Sequence, residues 1–174
     1  METSSTPVST TSVGMRYGLL TGLVSIIFSF GLFAAQMEDS PIKYVGYLVL
    51  IGGLIMAMRY YKASNFGFMS YGEGLGIGIL VSAVVGALSA IFTYVYMNVI
   101  DPDAVSRMTE KVRAGMEEGG KLTDEQIDQS MAMAGKFMNG PFMVVAVVIS
   151  SVLVGLLLSL VISAFIKHTK PEFE

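Results

Sequence analysis

Few residues in this chain are of a type and spacing that could do chemistry, and Glu73 is the first of them. It stands at the head of "YGEGLGIGILVSAVVGALSAIFTYVYMN", Tyr71 to Asn98, and no charged residue follows it until Asp101. A carboxylate at the lip of a long apolar segment could hold an ion or a substrate, because a charge inside hydrocarbon is costly and is usually put to use. It could equally close a helix start: Ser70 lies three positions before Glu73, the spacing of a capping box. A polar contact to another helix, or to Arg59 or Lys62, is a third use. The cap or interface role fits best, since Glu73 directly precedes the apolar run.

The other candidates are weaker. His168 is the only histidine. With Lys167 and Lys170 beside it and no acid pair to complete a metal site, it reads as a solvated interface residue. Ser150 and Ser151 lack a histidine partner for acyl transfer. Met108, Met116, Met131, Met133 and Met138 are thioethers that bind copper, but no His or Cys lies among them, so packing is their expected use. "GEGLGIG" has no strand before it and no Lys-Ser/Thr pair after it, which excludes a nucleotide loop. The absence of cysteine removes thiolate catalysis and thiolate metal sites. Paired carboxylates, histidine clusters and a nucleophile–base set are all missing. No catalytic, cofactor-binding or metal-binding residue is therefore assigned, and an enzyme is not expected.

The elements that would position Glu73 are unusual in composition. Of 174 residues only 14% are charged while 53% are hydrophobic, against roughly 25% charged in a soluble domain. Residues 17–37, 44–58, 74–100 and 137–166 carry no charge at all. A membrane span needs about 20 apolar residues. The first, third and fourth runs meet that length, and Lys43, Arg59, Tyr60 and Tyr61 extend the second by reaching the interface. The pattern predicts an all-α fold: an integral membrane four-helix bundle with spans near 15–36, 42–61, 72–97 and 142–166. A disordered Ser/Thr-rich tail is expected over 1–14, a single four-span domain over 15–170 and a short tail over 171–174. "FAAQ", Phe33 to Gln36, resembles a cleavage site, but the head lacks the basic region of a secretory signal, so the first helix is expected to stay uncleaved.

Small residues mark the faces on which these helices should pack. Thr21, Ser25 and Ser29 recur at intervals of four on the first, close to Gly18 and Gly22. Gly72 pairs with Gly76 and Gly74 with Gly78 on the third; Ser150, Ser151, Gly155 and Ser159 stripe the fourth. Such spacing lets backbones approach closely in lipid and predicts helix packing at Gly72, Gly74, Gly76, Gly78 and Gly155, with self-association as the alternative.

The stretch from Asn98 to Gly140 differs in kind, holding eight of the fourteen acidic and five of the eleven basic residues. After Asp101-Pro102, the positions Val105, Met108, Val112 and Met116 share one helical face. A second helix follows Thr123, with Gln126 completing a capping box, and Ile127, Met131, Ala134 and Met138 continue an apolar stripe. "EEGGK" breaks the two apart. This predicts an extramembrane amphipathic helical hairpin over 101–139, a cap or a dimer contact rather than a lipid sensor, because its acidic face opposes anionic lipid. Arg16, Arg59, Lys62, Lys167 and Lys170 fall on one side of the four spans, against Lys43 and Lys136 near the ends on the other. The positive-inside bias then places both termini in the cytoplasm and the hairpin on the far side. A net charge of −3 with no basic recognition helix gives no case for nucleic acid; the lipid bilayer, and a second copy or another membrane protein, are the expected partners.

The layout as a whole resembles a known family. "MRYGLLTGL" leads the first span, and "FGFMSYGEGLGIGILVSAVVGALS" opens the third. "MTEKVRAGMEEGGKLTDEQIDQSMAMAGKFMNGPF", with Met131, Met138 and Pro141, precedes the last. Over about residues 13–170 the chain is similar to the DUF4199 proteins, small four-helix membrane proteins found mainly in Bacteroidota. The resemblance implies a bacterial inner-membrane location and supports the span count. It implies no activity, cofactor or functional residue. Two roles follow as expectations: a non-enzymatic accessory, scaffold or structural protein, or a small oligomeric transporter or channel using Glu73 and the Ser/Thr-lined faces.

Overall fold

The computed structural model describes residues 8–37, 40–138 and 140–169. Among them six α-helices follow one another: α1 (Thr10–Ala34), α2 (Val45–Ser64), α3 (Tyr71–Val95), α4 (Asp103–Glu118), α5 (Asp124–Met138) and α6 (Pro141–Ile166). A 3₁₀ turn, Pro41–Tyr44, leads into α2, and one π-helical turn, Tyr96–Ile100, continues α3. No strand occurs among the described residues; an isolated β-bridge joins Met69 and His168. Among the described residues four stretches are long and apolar enough to cross a membrane: Thr10–Ala34, Pro41–Ser64, Tyr71–Ile100 and Pro141–Ile166. The chain is thus all-helical and compatible with a multi-pass membrane protein.

α1 starts earlier than the sequence pattern implied. Ser9 accepts a hydrogen bond from Ser12 N–H at 3.1 Å, satisfying one of the unpaired donors of the first turn. This N-cap starts the helix at Thr10, so a tail reaching to residue 14 is too long. Of the expected tails, residues 1–7 and 171–174 lie outside the described residues.

The chain divides into two compact units, residues 1–89 with 148–174, and residues 90–147. In the first, the registers of the helices can be read from what a side chain on each glycine would meet. Gly14, Gly18 and Gly22 of α1 face Leu80, Val84 and Leu88 of α3. Both series climb together in steps of four, so these helices run parallel. On α1 and α2, Thr21 faces Gly53 and Phe28 faces Gly46, numbers that move in opposite directions, so this pair is antiparallel. α3 and α6 are also antiparallel: Gly74 faces Ser163, Gly78 faces Ser159, Ser82 faces Gly155, and Gly86 faces Ser151. A methyl group at Gly18 would lie 2.7 Å from Val84 Cβ, and one at Gly86 2.7 Å from Ser151 Cβ. Backbones this close gain dispersion contacts along their whole length.

Leu50, Leu54, Ala57 and Met58 of α2 meet Val13 of α1 and Ile77, Val81 and Val85 of α3 in the core of this unit. The opposite faces stay apolar and open: Ile27, Leu48, Leu157 and Phe165 are 71%, 64%, 64% and 86% exposed. A water-soluble surface rarely exposes so many large apolar side chains; a lipid-facing one does.

In the second unit α4 and α5 are joined through residues 119–123, with Gly120 at φ 59°. Ala104 and Ile127 are buried. Arg113 bridges the two helices, donating to Asp128 Oδ1 at 2.8 Å and to Glu117 Oε1 on its own helix at 3.0 Å. Thr123 and Gln126 exchange both bonds of a capping box, Thr123 N–H to Gln126 Oε1 at 3.0 Å and Gln126 N–H to Thr123 Oγ1 at 3.4 Å.

Candidate functional site

The polar residues of the first unit gather where α2 ends, α3 begins and the chain leaves α6. The α2 helix stops at Ser64, and Asn65 N–H still reaches back to Tyr61 O at 3.0 Å. Phe66 at φ 56° and Gly67 at φ 83° then reverse the chain. Glycine takes that left-handed conformation freely; phenylalanine does not. Met69 and His168 pair through their backbones, each N–H donating to the other's carbonyl at 2.9 Å. Ser70 follows and starts α3.

Glu73 occupies the first turn of α3, and its two oxygens have different tasks. Oε2 accepts from Ser70 N–H at 2.7 Å and from Ser70 Oγ at 2.8 Å, while Glu73 N–H donates back to Ser70 Oγ at 3.3 Å. These are the reciprocal bonds of a capping box. Oε1 accepts from Tyr61 Oη at 2.7 Å, and Tyr61 is only 5% exposed. The same carboxylate therefore starts one helix and ties it to the last turn of another. Tyr61 and Glu73 lie equally far on either side of Gly67, so folding α2 back against α3 brings them together.

An open recess of about 510 Å³ lies beside this tie, lined in part by Tyr61, Phe66, Phe68, Ser70, Glu73 and His168. The His168 ring stacks on Phe68, centroids 5.4 Å apart. His168 is exposed, as an interface residue would be, yet its backbone and ring are both anchored. Nearby cations are also fixed. Lys62 Nζ donates to Ile166 O at 2.9 Å, where the end of α6 leaves carbonyls without helical partners. Arg16 lies over the Tyr60 ring at 5.4 Å and Lys167 over the Tyr71 ring at 5.7 Å. Chemically the corner offers a held carboxylate amid aromatic faces, which can bind a cation. Among the described residues no group of three His, Asp or Glu side chains comes together to hold a metal ion.

The remaining candidates fall elsewhere. Gly74, Gly78 and Gly155 lie in the α3–α6 contact, whereas Gly72 and Gly76 face open space. On the second unit Val105, Met108, Met116 and Met131 are half-buried, Ile127 is buried and Val112 is 43% exposed. Met138 ends α5, and its side chain lies outside the description. Asp101 accepts a bidentate pair from Arg107, at 2.6 and 3.2 Å, and these bonds hold its carboxyl below the ordinary range.

Residues 16–168 match the family described as protein of unknown function, DUF4199. The chain belongs to the DUF4199 family. Searches of the curated proteins and of the solved structures found no match. The stretch shared with DUF4199 includes the whole Tyr61–Ser70–Glu73 tie and His168. Tyr61 is the partner that sequence reading missed; its position opposite Glu73 about the Asn65–Gly67 turn is the signal that would have found it.

Proposed function

We propose that this DUF4199 protein is a multi-pass protein of the bacterial inner membrane with a non-enzymatic role, as an accessory subunit or scaffold. Its four apolar helices form a bundle, both termini are cytoplasmic, and α4 and α5 form a hairpin outside the hydrocarbon on the periplasmic side. The membrane protein partner is another copy or a different chain.

One observation carries the choice of role: several Ser and Thr side chains a carrier would use along its helices are taken up in helix packing. Glu73 is held by Ser70 and Tyr61. Ser151, Ser159 and Ser163 of α6 press on glycines of α3, and Thr21 presses on Gly53. A small oligomeric transporter or channel using Glu73 and these serines is the competing role.

Two measurements test the proposal. Single cysteines at Ser4, Lys121 and Thr169 in this cysteine-free chain report the orientation to an impermeant maleimide, after the outer membrane is opened. Only the Lys121 site should react; labelling at Ser4 or Thr169 with none at Lys121 reverses the topology. For the role, vesicles reconstituted with the full chain should leak protons, Na⁺ and K⁺ no faster than empty ones. A flux that Glu73→Gln abolishes would install the transporter instead.

A further inference from the structure

We propose that the recess at the α2–α3 corner binds an organic ammonium group, carried by a lipid headgroup or by a free amine. The inference concerns what this corner recognises and stands apart from whether the chain is an accessory protein or a carrier.

Charge selects the ligand class first. Glu73 is the acid among the described residues of the lining, which include His168 but neither Lys nor Arg. The carboxylate favours a cationic ligand over an anion. The carboxylate is also oriented in advance: Ser70 holds one oxygen and Tyr61 the other, so little ordering is left for binding to do.

The walls select within that class. Tyr61, Phe66 and Phe68 line the recess together with the carboxylate. Rings beside a carboxylate suit an alkylammonium, which takes cation–π attraction on its methylene or methyl groups and a charge-assisted bond at nitrogen. A volume of about 510 Å³ is in the range of small-molecule sites, about 300–1,000 Å³.

Phe66 supplies an independent sign. It combines a left-handed backbone, φ 56°, with 69% exposure. The conformation is costly for a bulky residue, and burial within the chain does little to offset it. Glycine would fit the backbone better. A ring held there at such a cost makes sense if something outside the chain packs on it. The corner lies at the ends of two spanning helices, the depth at which headgroups and aromatic side chains meet.

The full chain in nanodiscs of mixed phosphatidylethanolamine and phosphatidylglycerol provides the test. Native mass spectrometry after release should find phosphatidylethanolamine retained over phosphatidylglycerol. Glu73→Gln should lower that retention by roughly tenfold, the size expected when a charged hydrogen-bond partner is lost. Phe66→Gly should lower it about threefold while leaving the melting temperature unchanged or raised, which separates ligand contact from folding. In lipid-free detergent, ethanolamine and choline are titrated calorimetrically. Saturable heat that disappears in Glu73→Gln supports the ammonium site with a free amine as its source; lipid retention without such heat supports a headgroup. Absence of both, or binding equally strong in Glu73→Gln and Phe66→Gly, overturns the proposal.

Discussion

The contact between α3 and α6 and the contact between α4 and α5 are made of opposite materials. The first sets glycine against serine at four successive steps, with Ser151 Oγ donating to Ser82 O at 3.0 Å and Tyr71 Oη to Leu160 O at 3.3 Å. The second has the Arg113–Asp128 ion pair, the Thr123–Gln126 capping box and a charged outer face. Apolar helices in lipid gain nothing by hiding hydrocarbon from hydrocarbon, so they must gain from closeness. Helices in water can bury a stripe and decorate the rest with charge, each exposed ion pair adding about 0.2–1 kcal/mol. Distance of approach specifies the first contact; side-chain identity specifies the second.

The largest effect should come from a side chain placed where approach is closest. Gly78→Leu puts a branched chain against Ser159, and Gly155→Leu does the same against Ser82. Either should destabilise by on the order of 3 kcal/mol through overpacking, read as a fall in thermal stability in detergent. Gly76→Ala, facing open space, should be neutral or stabilising by about 0.5 kcal/mol, since alanine suits a helix better than glycine. Equal losses at Gly78 and Gly76 would mean that closeness is not what holds α3 to α6. Ser159 sharpens the point. Its hydroxyl is buried without a hydrogen-bond partner, so Ser159→Ala should be neutral or stabilising by about 1 kcal/mol.

Glu73 comes next in size, because one residue serves two helices. Glu73→Leu strips the acceptor from Ser70 N–H and from the buried Tyr61 hydroxyl at once, for a loss of about 2 kcal/mol. Tyr61→Phe alone should cost about 1 kcal/mol. In the double variant the two losses should fall short of their sum, because each removes the shared bond. Full additivity in thermal unfolding would show that the Tyr61–Glu73 bond contributes nothing.

What the sequence made legible here was local or compositional. Four long apolar stretches stand out because hydrocarbon excludes charge along their whole length, and the Ser70–Glu73 and Thr123–Gln126 spacings are visible because a capping box spans only four residues. The Ser9 cap is harder to see, although it too is local, because the Ser/Thr-rich composition around it has the character of a tail. Partners across helices were harder. Four-residue spacing treats Gly72–Gly76 and Gly74–Gly78 alike, yet only Gly74 and Gly78 have α6 in front of them. That distinction depends on how α3 is rotated about its axis, which no single helix encodes. The Tyr61–Glu73 tie and the Met69–His168 bridge need the same knowledge of what lies opposite.

Smaller effects are expected in the α4–α5 pair, where many weak contacts share the work. Thr123→Ala removes the acceptor for Gln126 N–H and should cost about 1 kcal/mol of local stability. Met131→Asp should cost more, since it puts a charge on a half-buried position. Both should speed proteolysis at Gly119 and Gly120. If Met131→Asp leaves cleavage and melting unchanged, the apolar stripe of α5 is not a contact face.

The smallest effect is electrostatic and has a definite sign. Arg107 holds the Asp101 carboxyl below its ordinary value of 3.8. The folded chain thus binds this proton less readily than the unfolded chain, and stability rises with pH wherever the unfolded state is the more protonated. The contribution is complete above the ordinary value and fades as pH falls through the lower, folded one. Because Asp101 lies just before α4 and its carbonyl accepts from Ala104 N–H, the loss should appear as faster amide exchange over the first turn of that helix, not as global unfolding. Asp101→Asn should remove this acid response, and Arg107→Lys should weaken it, since an ammonium cannot repeat the paired guanidinium bonds. An Asp101 carboxyl titrating at its ordinary value, followed by carboxylate chemical shift, would show that the ion pair does not persist in solution. The Arg113–Asp128 pair is the control. It is exposed on both sides, so salt should screen it readily, whereas the two-pronged Asp101–Arg107 contact should change less as ionic strength rises.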